Sequence, residues 1–184
     1  MRPTERLTEE HRSIELGLRV LEAVCKKLES GDEVDPEHIE EIIEFIKGFG
    51  DKCHHMKEEE LLFEAMAKAG VPKDGGPLGV MVAEHDKGRG YVRGMNEALA
   101  NYKLGDGGVA PVIVKNARDY IALLTGHIDK EDKVLYPLAD QRLSDEQQRE
   151  LSTEFDRIDR ETIGSDKIAL FHKVLNRLKD IYLD

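Results

Sequence analysis

Apolar residues recur along this chain at the spacing of a helix. Positions 7 or 11 apart nearly superimpose on a helix, and positions four apart share a face. Leu7, Ile14, Leu18 and Cys25 form one such stripe, and Leu78, Met81, Val92 and Leu99 another. Ile113, Tyr120, Val134 and Leu138 form a third, and Ile43, Leu61 and Ala65 lie on a fourth line. No segment alternates as a half-buried strand would. The breaks between stripes carry start and stop signals. Gly31 ends the first segment, and Asp35-Pro36 supplies an N-cap with proline at the first helical position. Gly70 ends the second, Gly75-Gly76-Pro77 opens the third, Gly105 to Gly108 break the chain again, and Pro111 lies just inside the fourth.

This punctuation predicts helices at about 4–29, 36–69, 77–103 and 110–140, joined by loops short enough to make sequential helices antiparallel neighbours. The fold class is therefore all-α, an up-down-up-down four-helix bundle. Ser144-Asp145-Glu146-Gln147 is a capping-box signature for a fifth helix, and Gly164-Ser165 separates a sixth. The last carries a stripe of Ile168, Phe171, Val174, Leu175, Leu178 and Ile181. The expected organisation is a bundle over 1–142 and a helical hairpin over 143–184 packed on it as part of the same domain. A lid or a dimer surface is the alternative role for the hairpin.

Polar residues interrupt these stripes in a repeated way. Glu10-His11 is followed, 43 residues on, by His54-x-x-x-Glu58-Glu59-x-x-Leu62-Phe63; Glu84-His85 is followed, 42 residues on, by His127-x-x-x-Glu131-Asp132-x-x-Leu135-Tyr136. His11, His85, His127 and His54 each fall on one of the four apolar lines, and Glu58 and Glu131 come one turn after a histidine. His55 and Glu59 make a rival pair, rotated by about 100° toward the flank. In the second copy those positions are Ile128 and Asp132. The expectation is that His54 and Glu58 face the interior and that His55 and Glu59 lie outside.

A buried imidazole or carboxylate without a partner costs several kcal/mol. Packing alone offers no reason to repeat that arrangement on four helices, whereas cations would offset it and be neutralised by the carboxylates. The candidate metal ligands are therefore His11, His54, Glu58, His85, His127 and Glu131, with a polar structural network as the alternative. Imidazole and carboxylate without thiolate suit Fe, Mn or Zn. Two Glu can bridge two ions and leave two His to each, with open positions for a small molecule.

The chain has 184 residues and a net charge of -11, long enough for one domain with a real core and acidic enough to repel nucleic acid and anionic membranes. No apolar run approaches a membrane span and no secretory signal is visible, so the expected location is the cytoplasm. Cys25 and Cys53 give no disulfide framework. Cys53 lies beside His54 but lacks a second Cys pair at finger spacing, and reads as a small core residue. Tyr120 lies on the ligand face, as a core residue or an outer donor. Glu10 and Glu84 pair with histidines or with the surface. His38 and His172 read as exposed.

At these histidines and carboxylates, and at both following Leu-aromatic pairs, the chain resembles the hemerythrin-like family of HHE cation-binding domains over about residues 4–140. The resemblance implies a four-helix bundle with a non-haem di-iron centre and His11, His54, Glu58, His85, His127 and Glu131 as ligands. It also implies that Glu58 and Glu131 bridge the two Fe ions, together with an oxo or hydroxo group. Oxygen carriers of that family hold one extra His a turn beyond the third ligand. Here that position is Arg89, which cannot ligate iron. The 4-His, 2-Glu set looks more like the bacterial proteins linked to nitric oxide and iron–sulfur repair and the eukaryotic F-box iron sensor, though the cysteine-containing segment of the former and the F-box of the latter are absent. The expected partner is O2, NO or peroxide, with a protein partner or a second copy also open. An iron- or oxygen-sensing module without turnover is the alternative function.

Overall fold

A computed structural model describes residues 1–183. Among these residues the protein is helical throughout, without a strand. Helix α1 is Pro3–Glu29. Helix α2 covers 36–68: it begins as Pro36–Phe45, widens into π-helical turns over Ile46–His55 and Lys57–Leu62, and finishes as Phe63–Lys68. Helix α3 is Pro77–Lys103. A short 3-10 turn, Gly107–Val109, leads into α4 over 110–142, which comprises Ala110–Lys130, a π-helical turn Glu131–Leu135 and Tyr136–Arg142. Helix α5 is Asp145–Arg157, running into a π turn Ile158–Ile163, and α6 is Ser165–Tyr182.

The local signals act as their chemistry dictates. The Asp35 carboxylate accepts from Glu37 N at 2.9 Å, with Pro36 in the first turn of α2. Ser144 Oγ accepts from Gln147 N while Gln147 Oε1 accepts from Ser144 N. Gly31 and Gly164 sit at φ +79° and +92°, a left-handed conformation that side chains disfavour, so α1 and α5 end there.

Two apolar clusters form the core. One contains Ile14 to Leu28 of α1, Ile39 to Phe49 of α2, Val92 to Leu99 of α3 and Ile113 to Ile128 of α4. The other contains Leu7, Leu62 to Met66, Leu78, Met81, and Leu135 to Ala139. His11, His54 and His85 fall between the two groups on their helices, and His127 falls at the edge of the first group on α4, so they form a polar layer inside an apolar bundle. The hairpin extends both clusters: Leu175 and Leu178 join the first, Leu151 and Phe155 the second. Ile181, expected on its apolar stripe, is instead 45% exposed. His38 and His172, expected on open faces, are half-buried where α2 and α6 meet: His38 Nδ1 lies 2.8 Å from the Tyr182 hydroxyl and His172 of α6 meets the Phe49 ring edge-on.

The π turns explain where the helical register departs from expectation. The lines through His11 and His85 run on regular helix, and Leu7, Ile14, Leu18, Cys25, Leu78, Met81, Val92 and Leu99 are all buried. On α2 and α4 the line holds only up to the histidine. Beyond it Leu62 and Met66 are buried in place of Leu61 and Ala65, and Leu135 and Ala139 in place of Val134 and Leu138. Val134 is 61% exposed. An i→i+5 turn inserts one residue relative to i→i+4, which moves everything after it by one position. No helix among the described residues is long and apolar enough to cross a membrane.

Candidate metal centre

The six expected ligands come together in the polar layer. His11, His54, His85 and His127 are 0–2% exposed, and Glu58 and Glu131 are fully buried. Glu131 spans the group: one oxygen lies 3.2 Å from His11 Nε2, the other 3.1 Å from His127 Nε2 and 4.0 Å from His85 Nε2. Glu58 Oε2 lies 3.7 Å from His54 Nε2 and 3.3 Å from His85 Nε2. His85 Nε2 and His127 Nε2 are 2.9 Å apart. Two sets of donors able to hold a cation result, sharing Glu58: His11, His54, Glu58 and Glu131, and His55, Glu58, His85 and His127.

His55 was expected outside. It is 5% exposed, and its ring stacks on that of His85 with centroids 3.8 Å apart and planes 17° from parallel. The π turn is the cause: each residue advances by less than the usual angle, so His54 and His55 both reach the interior. Glu59 does lie at the rim, as its register predicts.

Outward, every imidazole is tied to a carboxylate through Nδ1. Glu10 holds His54 at 2.9 Å, Glu84 holds His127 at 2.7 Å, Glu59 holds His85 at 2.6 Å, Asp132 holds His11 at 2.7 Å, and Asp51 holds His55 at 3.2 Å. These ties fix each ring with Nε2 available inside, the arrangement that orients metal-ligating histidines. Glu10 and Glu84 thus act on the histidine of the following helix. The acids are anchored in turn: Glu10 by Lys57, Glu84 by Lys130, Asp132 by Arg12, and both Glu59 and Asp51 by Arg89.

Charge follows this geometry. Burial opposes charge on His11 and His85, but the carboxylates beside them outweigh it, Asp132 and Glu131 for His11 and Glu58 and Glu59 for His85. Their pKa values rise to about 9 and about 10. Burial, reinforced by the charge of His85, pushes His55 well below the ordinary imidazole range. Glu58 is held well below the usual carboxylate range, because His54 and His85 outweigh its burial. His54 Nε2, Glu58 Oε2 and both oxygens of Glu131 are buried without a hydrogen-bond partner. Such atoms cost about 1–3 kcal/mol each, and more when charged, and here all point into one space. A cation there would satisfy them together, so the donor set fits the metal that the fold family implies.

Three further residues shape the site and were not legible as such. The Tyr136 hydroxyl donates to Glu58 Oε1 at 2.6 Å and lies 3.2 Å from His11 Nε2. The signal available was its difference by one hydroxyl from Phe63 in the first copy. Lys57, in a run that resembles a solvated face, is fully buried and pairs with Glu10 and Asp159. Asp159, far along the chain, also accepts from Cys53 Sγ at 3.4 Å. Tyr120 makes no such contact: it is buried and lines a cavity of about 330 Å³ with Ile46, Asp51, His55, His85 and Arg89.

The fold and this interior define a helical protein whose buried His/Glu clusters can hold metal. The family model for the hemerythrin HHE cation binding domain matches residues 2–139, and the chain belongs to that family. Neither the curated proteins nor the solved structures include a match to this chain.

Proposed function

We propose that this protein is a non-haem di-iron protein of the cytoplasm that binds or reacts with O2, NO or peroxide, its first four helices forming an up-down-up-down bundle over 1–142 extended by the hairpin 143–184. The order of the two apolar clusters reverses from each of the first four helices to the next, which supports the antiparallel arrangement. Both thiols are free, which fits a reducing compartment. The metal ligands are His11, His54, Glu58, His85, His127 and Glu131.

The observation that carries this reading is the set of unpartnered oxygens of Glu58 and Glu131 lying between imidazoles on both sides. Two carboxylates so placed would each be open to cations held on either side of them. His85 and His127, whose Nε2 atoms lie 2.9 Å apart, would hold one ion together. Iron bound there would supply redox chemistry toward a small oxidant or diatomic. The chain's own residues fix the rings, neutralise the charge of the ions, keep bulk water out and hold a proton on Tyr136 beside Glu58.

The test is metal analysis of protein from iron-replete cells, with Glu58→Ala set against Glu59→Ala. Two ions per chain, lost in the first variant and largely kept in the second, is the expected result; fewer than about one ion per chain removes the di-metal reading. Mixing the reduced protein with O2, peroxide and NO under a reductant separates turnover from a single binding event. The sensing alternative has its own support, since Asp159 of the hairpin reaches His54 through Lys57 and Glu10.

A further inference from the structure

Beside the polar layer, between α2, α3 and α4, lies the cavity of about 330 Å³, at the low end of the roughly 300–1,000 Å³ that small-molecule sites occupy. Its two ends differ. The inner wall is buried and largely apolar, formed by Ile46 of α2, Val92 of α3, Tyr120 of α4 and the stacked rings of His55 and His85. The outer end is charged. Lys47, Arg89 and Arg93 line it, and Asp51 is the one carboxylate among the lining residues. In a chain of net charge -11, three cations to one acid at a single opening reverse the sign of the surface locally.

The three cations are not equivalent. Every nitrogen of the Arg89 guanidinium already donates to a carboxylate: Nε to Asp51, Nη1 to Asp86 and Nη2 to Glu59. Arg89 is therefore committed to the protein and serves the cavity as wall. Lys47 holds only its helical neighbour Glu44, 2.9 Å away at the surface, a kind of pair that contributes little. Arg93 pairs with no carboxylate among the described residues, although the chain carries 38 acids to 27 bases. A free guanidinium is a planar fork that matches a carboxylate.

We propose that this cavity is a binding site for a small organic monocarboxylate with an apolar body, its carboxylate held at the opening by Arg93 and Lys47 and its chain laid against Ile46, Val92 and Tyr120. A neutral apolar molecule would leave Arg93 unpaired, and a bare inorganic anion would leave the inner wall empty, so the two ends together select an amphipathic anion. The site lies beside the metal layer, and the proposal stands whether or not that layer is loaded.

Isothermal titration of the whole chain with butanoate, hexanoate and octanoate tests it, with octylammonium, octan-1-ol and inorganic phosphate as controls. Affinity should rise roughly tenfold for each two added CH2 groups, and octanoate should bind more tightly than every control. Arg93→Glu, an exposed change on α3, should weaken octanoate about fivefold or more and octan-1-ol little. Val92→Phe, which fills the apolar end, should weaken both; Arg93→Glu reads the proposal if Val92→Phe fails to fold. Octylammonium or octan-1-ol bound as tightly as octanoate, or octanoate unaffected by Arg93→Glu, would overturn the carboxylate assignment. Phosphate bound as tightly as octanoate, or octanoate binding that survives Val92→Phe, would place the anion outside the cavity and overturn the site. Absence of binding by all three acids would overturn it as well. Metal content measured on the same samples decides the di-metal reading separately.

Discussion

Removing the Lys57 ammonium tests how the hairpin is joined to the centre. Lys57 is fully buried, with its Nζ paired to Glu10 and 2.7 Å from Asp159, and 5.8 Å from the centre of the Phe155 ring. Lys57→Met keeps the apolar stem and deletes the charge. Breaking a buried pair from one side costs about 3–5 kcal/mol, because the abandoned charge stays desolvated. Here the abandoned carboxylates keep other partners: Glu10 retains His54, and Asp159 retains Arg6. The low end applies, about 3 kcal/mol, which for a chain of this size is a fall in Tm of roughly 6–12 °C. Urea unfolding of the metal-free protein measures it directly, and a cycle with Asp159→Asn isolates the pair. The loss should persist in 1 M salt, since a buried pair is little screened. A loss under about 1 kcal/mol, or one abolished by salt, would show that Lys57 reaches solvent in solution and that the path from Asp159 to His54 is broken.

Other perturbations read separate parts of the structure. Tyr136→Phe leaves Glu58 Oε1 without its donor and should cost about 1–3 kcal/mol in the metal-free protein by urea unfolding; a neutral result would mean that this hydrogen bond does not form. A Cβ on Gly48 would stand 2.2 Å from Phe171 Cζ, so Gly48→Ala should push the Phe171 ring off its seat between α2 and α6, cost about 1–3 kcal/mol and speed proteolysis of the hairpin. In the metal-free protein His11 and His85 are protonated at pH 7, with pKa values of about 9 and about 10. Metal must displace those protons, and Glu131 outweighs burial to raise His127 in the same direction, so uptake at pH 7 should release two or more of them in a weakly buffered titration, and affinity should climb as pH rises toward 9–10; uptake without proton release contradicts the charge pattern. Burial pushes the Cys25 thiol up to about 11 and the Cys53 thiol up to about 12, so neither should react with a thiol reagent at pH 8 until the chain unfolds.

Sequence periodicity located the helices to within a residue or two at most ends, because caps and breakers act locally: Asp35-Pro36 and Ser144 with Gln147 needed no tertiary information. It also brought His11, His54, His85 and His127 to the interior, since on regular helix an apolar neighbour seven residues away fixes the face. It misplaced the residues beyond the histidines on α2 and α4. A π turn has no strong signature in composition, so Val134 and Leu138 were expected where Leu135 and Ala139 are buried, and His55 was expected at the rim. Lys57 and Asp159 were illegible for a different reason. Their pairing joins residues about a hundred positions apart, and neither residue marks a face of its own helix.

The carboxylate ties also explain how so polar a layer coexists with the fold before any cation binds. Glu10 of α1 holds His54 of α2, Glu59 of α2 holds His85 of α3, Glu84 of α3 holds His127 of α4, and Asp132 of α4 returns to His11 of α1. The ring closes, so each tie that aims a donor inward also fastens one helix to the next. The remaining cost falls on the four atoms without partners, which are the atoms a cation would take. Folding and metal uptake are consequently linked: free metal at 100 times its dissociation constant stabilises the chain by about 2.7 kcal/mol per site. A centre held this way gains stability from loading through Glu58 and Glu131, while the ring of outer acids holds the histidines in place in either state.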